Sequence, residues 1–286
     1  MIRGALVLCM LGVALGGDAA AARARTVTES ARDGAVTAQL SYHRTPTRFE
    51  DRFSALSLTI ERGGNTLLSG PLAPPCDGCE LVPANAVFRQ GKSISVQDLD
   101  GDGEPEVVFH GYSNGAHCCE VAVVYRLSAD GTSYIQTAQN FGNAGYRLAD
   151  LDHDGRPEFV SGDDRFAYTF TAYAFSGLPR QIWHFEAGGF VDMTRSYPHA
   201  IAADARWFLK SYRQDRRQRD FDVRGVLAAY VADEYLLGRP ATGWAIVRAA
   251  LRRGELQRGV DPLWPVGRAY VRKLRRFLVR TGYAPA

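Results

Sequence analysis

The chain has 286 residues, of which 46% are apolar and 23% charged, so it has the composition of a folded globular protein with room for one large or two smaller domains. No stretch is apolar for long enough to cross a bilayer, which excludes an integral helical membrane protein. Charge is uneven: residues 25–203 carry 14 Lys or Arg against 22 Asp or Glu, whereas residues 204–286 carry 18 against 8. Either the basic part simply has solvated helix faces, or it docks on the acidic part or on an anionic surface.

The N-terminus predicts a secretory signal peptide over residues 1–24. Arg3 supplies a basic start, residues 4–15 an apolar core, and Ala22 and Ala24 frame a small-residue cleavage pattern. The mature protein is therefore expected to be secreted or periplasmic.

A β pattern follows, from about residue 35 to residue 195. Residues 53–70 alternate apolar and polar side chains around a Gly-Gly-Asn turn, which predicts a hairpin. Three later runs are rich in β-branched and aromatic residues and are expected to be strands: residues 120–127, 166–175 and 180–186.

From about residue 200 the apolar residues recur with the period of a helix. Pro240 and Pro262 punctuate this part into about four helices. Two apolar faces are expected: Val223, Val226, Leu227, Tyr230 and Val231 on one helix, and Tyr270, Val271, Leu274, Phe277 and Leu278 on another. The sequence thus predicts an α+β fold, with a mainly antiparallel β-repeat region over 25–200 and a basic α-helical region over 201–286.

One internal repeat is clear. A shift of 52 residues places VQDLDGDGEPEVV (96–108) over LADLDHDGRPEFV (148–160) without a gap. The repeated units, 93–130 and 145–180, each carry an acidic loop at the same place.

The acidic loops predict two Ca²⁺ sites. Carboxylates at loop positions 1, 3 and 5 converge when a glycine at position 6 lets the backbone turn, and a carbonyl at position 7 completes a cage of hard oxygens. An EF-hand is excluded because Phe109 and Ser161 stand where its bidentate Glu is needed. The first loop has the carboxylates Asp98, Asp100, Asp102 and Glu106, and the second has Asp150, Asp152, Asp154 and Glu158, which would repel one another without a cation.

At these residues the sequence resembles the FG-GAP/VCBS repeats of integrin-type β-propellers, whose signature is Asp-x-Asp-x-Asp-Gly-x-x-Asp between two strands. Carried over position by position, the resemblance implies the ligands Asp98, Asp100, Asp102, the Glu104 carbonyl and Glu106 in the first loop, and Asp150, Asp152, Asp154, the Arg156 carbonyl and Glu158 in the second. Both copies depart from the signature with Glu at the ninth position. The resemblance implies propeller-like blades, calcium binding and a face for a protein or glycan ligand. A closed propeller needs at least about four blades, so either degenerate blades lie in 35–92 or the sheet does not close.

Residues 111–115, GYSNG, also fit the nucleophile turn of a serine hydrolase, with Ser113 as nucleophile. That motif requires a helix directly afterwards, and a strand-like run follows instead. The glycines are therefore expected to serve a turn between two strands. A secreted hydrolase, using Ser113 or a metal, is the alternative to a non-catalytic module.

Four cysteines remain outside the signal peptide: Cys76, Cys79, Cys118 and Cys119. An even number in an exported chain predicts two disulfides of undetermined connectivity. The competing interpretation is a Zn²⁺ site formed by the four thiolates, with His117 as a spare ligand.

The sequence favours an exported calcium-binding repeat module without catalysis, in which the metal stabilises inter-strand loops. Its partner would be a protein or glycan, nucleic acid is not expected, and the basic helices offer a surface for an anionic partner.

Overall fold

The computed structural model describes residues 23–75, 80–89, 91–115, 118–218, 221–257 and 263–285. All of the predicted signal peptide except its last two residues lies outside these ranges, as do Cys76, Cys79 and His117.

Three antiparallel meanders follow one another along the described chain. The first contains β1 (Arg25–Asp33), β2 (Val36–Pro46), β3 (Asp51–Arg62) and β4 (Asn65–Pro71). Its last two strands confirm the hairpin predicted over 53–70, because β3 and β4 pair around the glycine turn.

The second meander follows a short β5 (Val82–Pro83) and a one-turn α1 (Ala84–Phe88). It contains β6 (Ile94–Gln97), β7 (Glu106–Gly115), β8 (Cys118–Leu127) and β9 (Tyr134–Gly142), and β5 pairs with the end of β7. The third contains β10 (Tyr146–Ala149), β11 (Glu158–Gly162), β12 (Arg180–Glu186) and β13 (Gly189–Asp192).

The second meander is buried on both faces, since it lies between the other two. Val107 and Phe109 of β7 point to a core shared with the first meander. Val108, between them, points to a core shared with Phe159 and Phe185 of the third. Because successive strand residues face opposite sides, two-sided burial explains why β7 and β8 contain continuous apolar segments, residues 107–109 and 121–125, rather than alternating ones.

The predicted strand over 166–175 is wrong. This segment forms two 3₁₀ turns, Asp164–Phe166 and Tyr173–Phe175, and the strand that pairs with β11 is β12. Phe166 and Phe170 leave the sheet and pack edge-on against Phe277, with ring centroids 4.7 and 5.1 Å away. Burial against a helix outweighs the strand propensity of the aromatic run.

The sheets do not close into a barrel or propeller within the described residues. Three blade-like meanders stand in a row, and helices cover the third. Of the two arrangements that the sequence left open, a propeller completed by degenerate blades or sheets that do not close, the described residues form the second.

Four helices form the C-terminal part: α2 (Pro198–Asp215), α3 (Arg224–Leu236), α4 (Pro240–Arg252) and α5 (Gly267–Arg280). The apolar faces predicted for α3 and α5 are buried apart from Val271, which is half-buried. α3 is covered nearly all round because the other helices and the two aromatic turns enclose it. No helix in the described ranges is long and apolar enough to cross a membrane.

A buried ion pair joins these helices to the rest of the chain. The Arg224 side chain is fully buried and pairs with Asp222, whose carboxylate also accepts a 2.7 Å hydrogen bond from Thr171. The same guanidinium donates to the carbonyls of Trp264 and Pro265, at 3.1 and 3.0 Å, just before α5. One side chain thus ties the segment after β11 to the starts of α3 and α5.

Replacing this arginine should be costly. Arg224→Met strands the Asp222 carboxylate in the core, and we expect a loss of about 3–5 kcal/mol in the free energy of unfolding, measured by urea denaturation. Arg44→Met is the matched control, because it breaks a partly exposed pair with Asp51 and should cost at most about 1 kcal/mol. Equal losses in the two variants would contradict the role given to Arg224.

A histidine links the two repeats. Nδ1 of His110, on β7, lies 2.6 Å from the Tyr146 hydroxyl on β10, and Nε2 lies 3.0 Å from the Ser95 hydroxyl. Burial lowers the pKa of His110 from 6.5 to about 4, because the low-dielectric surroundings disfavour the charged imidazolium.

This depressed pKa predicts acid sensitivity. Below about pH 6.5 the His110 imidazole is protonated in the unfolded chain but stays neutral in the folded protein. The free energy of unfolding therefore falls as the pH is lowered, until the pH reaches about 4. His110→Gln should abolish this contribution, which amounts to about 2 kcal/mol between about pH 7 and pH 5. Urea denaturation at the two pH values measures it, with His43→Gln, which removes an exposed imidazole, as the control. If wild type and His110→Gln lose equal stability, the prediction is wrong.

Candidate metal centre

The two acidic loops occupy equivalent places in neighbouring meanders. Residues 98–105 connect β6 to β7, and residues 150–157 connect β10 to β11. The position-6 glycines, Gly103 and Gly155, have φ of +85° and +93°, a left-handed conformation that glycine adopts without strain. The predicted glycine turn is therefore present in both loops.

Backbone amides hold the first-position carboxylate of each loop, and the amide of the position-6 glycine is a donor in both loops. Asp98 accepts from the amides of Gly101 and Gly103, at 2.7 and 3.0 Å. Asp150 accepts from those of Asp154 and Gly155, at 3.2 and 3.1 Å. Each first-position carboxylate is thus fixed by its own loop.

A buried glutamate closes each loop. Glu106 and Glu158 are each only 1% exposed and accept from the amides of Leu99 and Leu151, at 2.9 and 2.6 Å. Burial raises the pKa of Glu106 to about 8, and the neighbouring carboxylates of the first loop add to the rise. A charge at this position therefore needs a neutralising partner.

Three carboxylates converge in each loop. Oxygens of Asp98, Asp100 and Glu106 lie within 4.8 Å of one another, and so do those of Asp150, Asp152 and Glu158. The fifth-position residues, Asp102 and Asp154, are not in these clusters; each accepts a 2.8 Å hydrogen bond from the amide two residues further on. Six of the eight predicted side-chain ligands therefore meet in two groups of three.

An arginine that the sequence did not point to neutralises the first loop. The Arg126 guanidinium, from β8, lies 3.1 Å from Asp100, 2.9 Å from Asp102 and 3.9 Å from Glu106. It bridges carboxylates that would otherwise repel one another.

A histidine takes the equivalent place in the second loop. Val107 pairs with Tyr125 and Phe159 with Trp183, so the next residues, Arg126 and His184, follow at matching register. They are 58 residues apart because the 3₁₀ turns lengthen the second copy, and the gap-free repeat alignment therefore hides the equivalence.

The second loop keeps its inner carboxylates free of arginine and lysine. His184 Nε2 lies 3.5 Å from Glu158 and 2.6 Å from the Tyr197 hydroxyl, which lies 3.2 Å from Asp152. Arg156 pairs with Asp154 at the exposed rim. Among the described residues, no guanidinium or ammonium group forms an ion pair with Asp150, Asp152 or Glu158.

The loops also touch each other and the first meander. A Cβ on Gly101 would lie 2.6 Å from Cδ of Arg156, so that side chain of the second loop rests on the first. Arg62, on β3, forms two hydrogen bonds with Glu104, at 2.7 and 2.8 Å. All three meanders therefore contribute to the region around the acidic loops.

The hydrolase motif lacks the context that it needs. Ser113 lies within β7, its hydroxyl accepts a hydrogen bond from the Cys119 amide, and Gly115 pairs with Cys118 across a hairpin to β8. A strand, rather than a helix, follows the motif, as the sequence indicates.

The structure places the sulfur atoms of Cys118 and Cys119 against each other, and a vicinal disulfide between them stays a prediction. Because Cys76 and Cys79 are not among the described residues, the predicted two-disulfide pattern and its connectivity stay predictions. The same holds for the zinc alternative.

Two family models match parts of the chain. The FG-GAP-like repeat matches residues 91–161, which include both acidic loops. The sll0997 C-terminal domain matches residues 201–282, which cover the helices after the start of α2. The similarity thus divides between the repeats and the helical part.

Two curated proteins are similar to the chain. A probable thylakoid lumen protein, sll0997 of Synechocystis sp., is 35% identical over 156 residues, 53% of this chain and 45% of that protein. Protein y4bJ of Sinorhizobium fredii is 28% identical over 241 residues, 79% of this chain and 36% of that protein. The chain spans less than half the length of either relative. No solved structure matches it significantly.

The arginine of the first loop should stabilise the protein when no divalent cation is available. In EDTA, Arg126→Gln leaves three neighbouring carboxylates without their cation, and we expect unfolding to become easier by about 1–2 kcal/mol, more at low ionic strength. Arg147→Gln, on the exposed side of β10, should change stability by less than about 0.5 kcal/mol. If the stability lost in Arg126→Gln is the same at low and high ionic strength, the electrostatic role of Arg126 is contradicted.

Proposed function

We propose that the chain is an exported, non-catalytic binding or structural module whose two acidic loops bind Ca²⁺. The observation that carries the proposal is the duplicated cluster: three carboxylates converge in each loop, the position-6 glycine amide donates to the first aspartate in both, and equivalent strands flank both loops. A chance acidic turn would not be expected to recur with matching buried glutamates.

The donor set fits calcium. Ca²⁺ binds oxygen ligands at about 2.3–2.6 Å, so oxygens on opposite sides of one ion stand about 4.6–5.2 Å apart, and the clustered oxygens lie within 4.8 Å. Asp98, Asp100 and Glu106 would hold one ion, and Asp150, Asp152 and Glu158 the other. Asp102, Asp154 and the carbonyls of Glu104 and Arg156 are proposed to complete the two shells.

The proposed role of the ion is electrostatic. It supplies positive charge beside glutamates that are 1% exposed and fixes two inter-strand loops on adjacent meanders. A ligand that binds only the folded state stabilises that state by mass action, so calcium would strengthen the part of the protein where the meanders meet.

The two sites should differ in affinity. An ion entering the first loop competes with the Arg126 guanidinium for Asp100 and Asp102. In the second loop, no arginine or lysine among the described residues pairs with Asp150, Asp152 or Glu158. We therefore propose that the second loop binds calcium more tightly, and that removing the guanidinium raises the affinity of the first.

Export is supported by the N-terminal sequence, with its basic start, apolar core and alanine run, and by a similar protein described as a probable thylakoid lumen protein. A secreted or periplasmic location also suits the proposed calcium sites and the disulfides. The partner is proposed to be a protein or a glycan, since repeats of this kind present ligand-binding faces.

Thermal melts in Ca²⁺ and in EDTA test the calcium proposal. At about a hundredfold excess of calcium over its dissociation constant, we expect stabilisation of about 3 kcal/mol per site. Asp150→Asn with Asp152→Asn should remove most of this shift, and Asp98→Asn with Asp100→Asn less of it. Asp33→Asn with Glu61→Gln, an equal charge change at exposed positions of the first meander, is the control and should keep the full shift. If the wild-type protein has the same melting temperature in Ca²⁺ and in EDTA, the calcium proposal is wrong.

A further inference from the structure

A groove lies on the helical part, and no residue of the acidic loops lines it. Its volume is about 960 Å³, and its walls include Arg195, Tyr235, Trp244, Arg248, Arg275 and Val279. Trp244 and Arg248 are one turn apart on α4, and Arg275 and Val279 one turn apart on α5, so each helix offers one apolar or aromatic side chain and one guanidinium.

Within the part of the chain that the structure describes, the arginines of the groove have no carboxylate partners. None of the three forms an ion pair among the described residues, and no aspartate or glutamate from those residues lines the groove. α4 and α5 contain no acidic residue at all. Four of the six acidic residues that the structure describes in the helical region pair with arginines outside the groove: Asp204 with Arg180, Asp222 with Arg224, Glu234 with Arg239, and Glu255 with Arg216 and Arg253.

The aromatic side chains of the groove are fixed in place. Trp244 is 8% exposed, and its Nε1 donates a 2.9 Å hydrogen bond to the Tyr235 hydroxyl. The Arg275 guanidinium lies 5.1 Å from the centre of the indole, as in cation–π pairs. Arg195 is held from the other side, because it donates a 3.2 Å hydrogen bond to the Gly282 carbonyl.

We propose that this groove binds a small organic anion: a phosphate or carboxylate group carried on a flat apolar body. The guanidiniums of Arg248 and Arg275 would bind the oxyanion, since arginine forms short, charge-assisted hydrogen bonds with such groups. The apolar body would pack beside Trp244 and Val279.

Shape favours a small ligand over an extended anionic surface. The indole is recessed, so a flat lipid surface would meet the exposed arginine tips without reaching the aromatic wall. A concave site with an apolar wall and a few convergent polar groups is typical of small-molecule sites. The proposal does not depend on calcium binding.

Calorimetric titration of the mature wild-type chain tests it. The probes are phenyl phosphate and phenylacetate, compared with inorganic phosphate and phenol, which each supply half of the proposed ligand. We expect phenyl phosphate or phenylacetate to bind more tightly than either half. Which of the two binds better distinguishes a phosphate site from a carboxylate site.

Matched double variants locate the site. Arg248→Gln with Arg275→Gln should lower the affinity at least about tenfold, the effect of losing one charge-assisted hydrogen bond. Arg252→Gln with Arg276→Gln removes the same charge from exposed positions of the same two helices outside the groove, and should keep the affinity within about twofold. Trp244→Phe should weaken binding of the aromatic probes more than that of inorganic phosphate. Thermal melts confirm that each variant is folded.

Three results would overturn the proposal. One is equal loss in the two double variants, which would reduce the effect to general surface charge. Another is phenyl phosphate and phenylacetate binding no better than inorganic phosphate and phenol. The third is binding of the chain to phosphatidylglycerol vesicles with no binding of the soluble probes, which would assign these arginines to a lipid surface.

Discussion

Burial of both faces of the second meander is the constraint on which the rest of the β region depends. Val107 and Phe109 must meet the first meander, and Val108 the third, so the three sheets can only stack in a row. Because neighbouring sheets are then held in a fixed relation, the two loops come close enough for Arg156 to rest on Gly101. The acidic region is a consequence of sheet packing as much as of loop sequence.

The two acidic loops match in sequence, but different side chains offset the repulsion among their carboxylates. Each brings three carboxylates together, one of them buried, and like charges at that distance disfavour ionisation. In the first loop the chain supplies its own cation, Arg126. In the second the residue at matching register is His184, and a tyrosine bridges histidine and aspartate. The two acidic loops therefore have the same sequence motif but different electrostatic surroundings. The difference comes from the neighbouring strand, which supplies Arg126 to the first loop and His184 to the second.

The helical part has its own charge arrangement. Its core forms around α3. Arg224 stabilises this core because its guanidinium pairs with Asp222 and donates hydrogen bonds to the carbonyls of Trp264 and Pro265, just before α5. Four of the six acidic residues described in this part form ion pairs with arginines, namely Asp204, Asp222, Glu234 and Glu255. Among the described residues, Arg248 of α4 and Arg275 of α5 have no carboxylate partner, so part of the positive charge of residues 204–286 lies at the groove.

The sequence by itself determined that strands come first and helices follow, and that each acidic loop turns at a glycine, because these features depend on local periodicity and on the spacing within one loop. It also grouped the first two aspartates of each loop with the glutamate, whereas Asp102 and Asp154 lie outside the clusters. Only the tertiary structure decided that residues 166–175 abandon the sheet, since Phe166 and Phe170 gain more by burial against Phe277 than by strand pairing. Only the tertiary structure placed Arg126 and His184 at the loops, because cross-strand register brings together residues that no gap-free sequence repeat aligns. Turns and periodic apolar faces depend on residues that are close in the sequence, so they can be predicted from it. The charged partners of the loops and the packing of the aromatic turns depend on residues that are distant in the sequence and meet only in the folded protein.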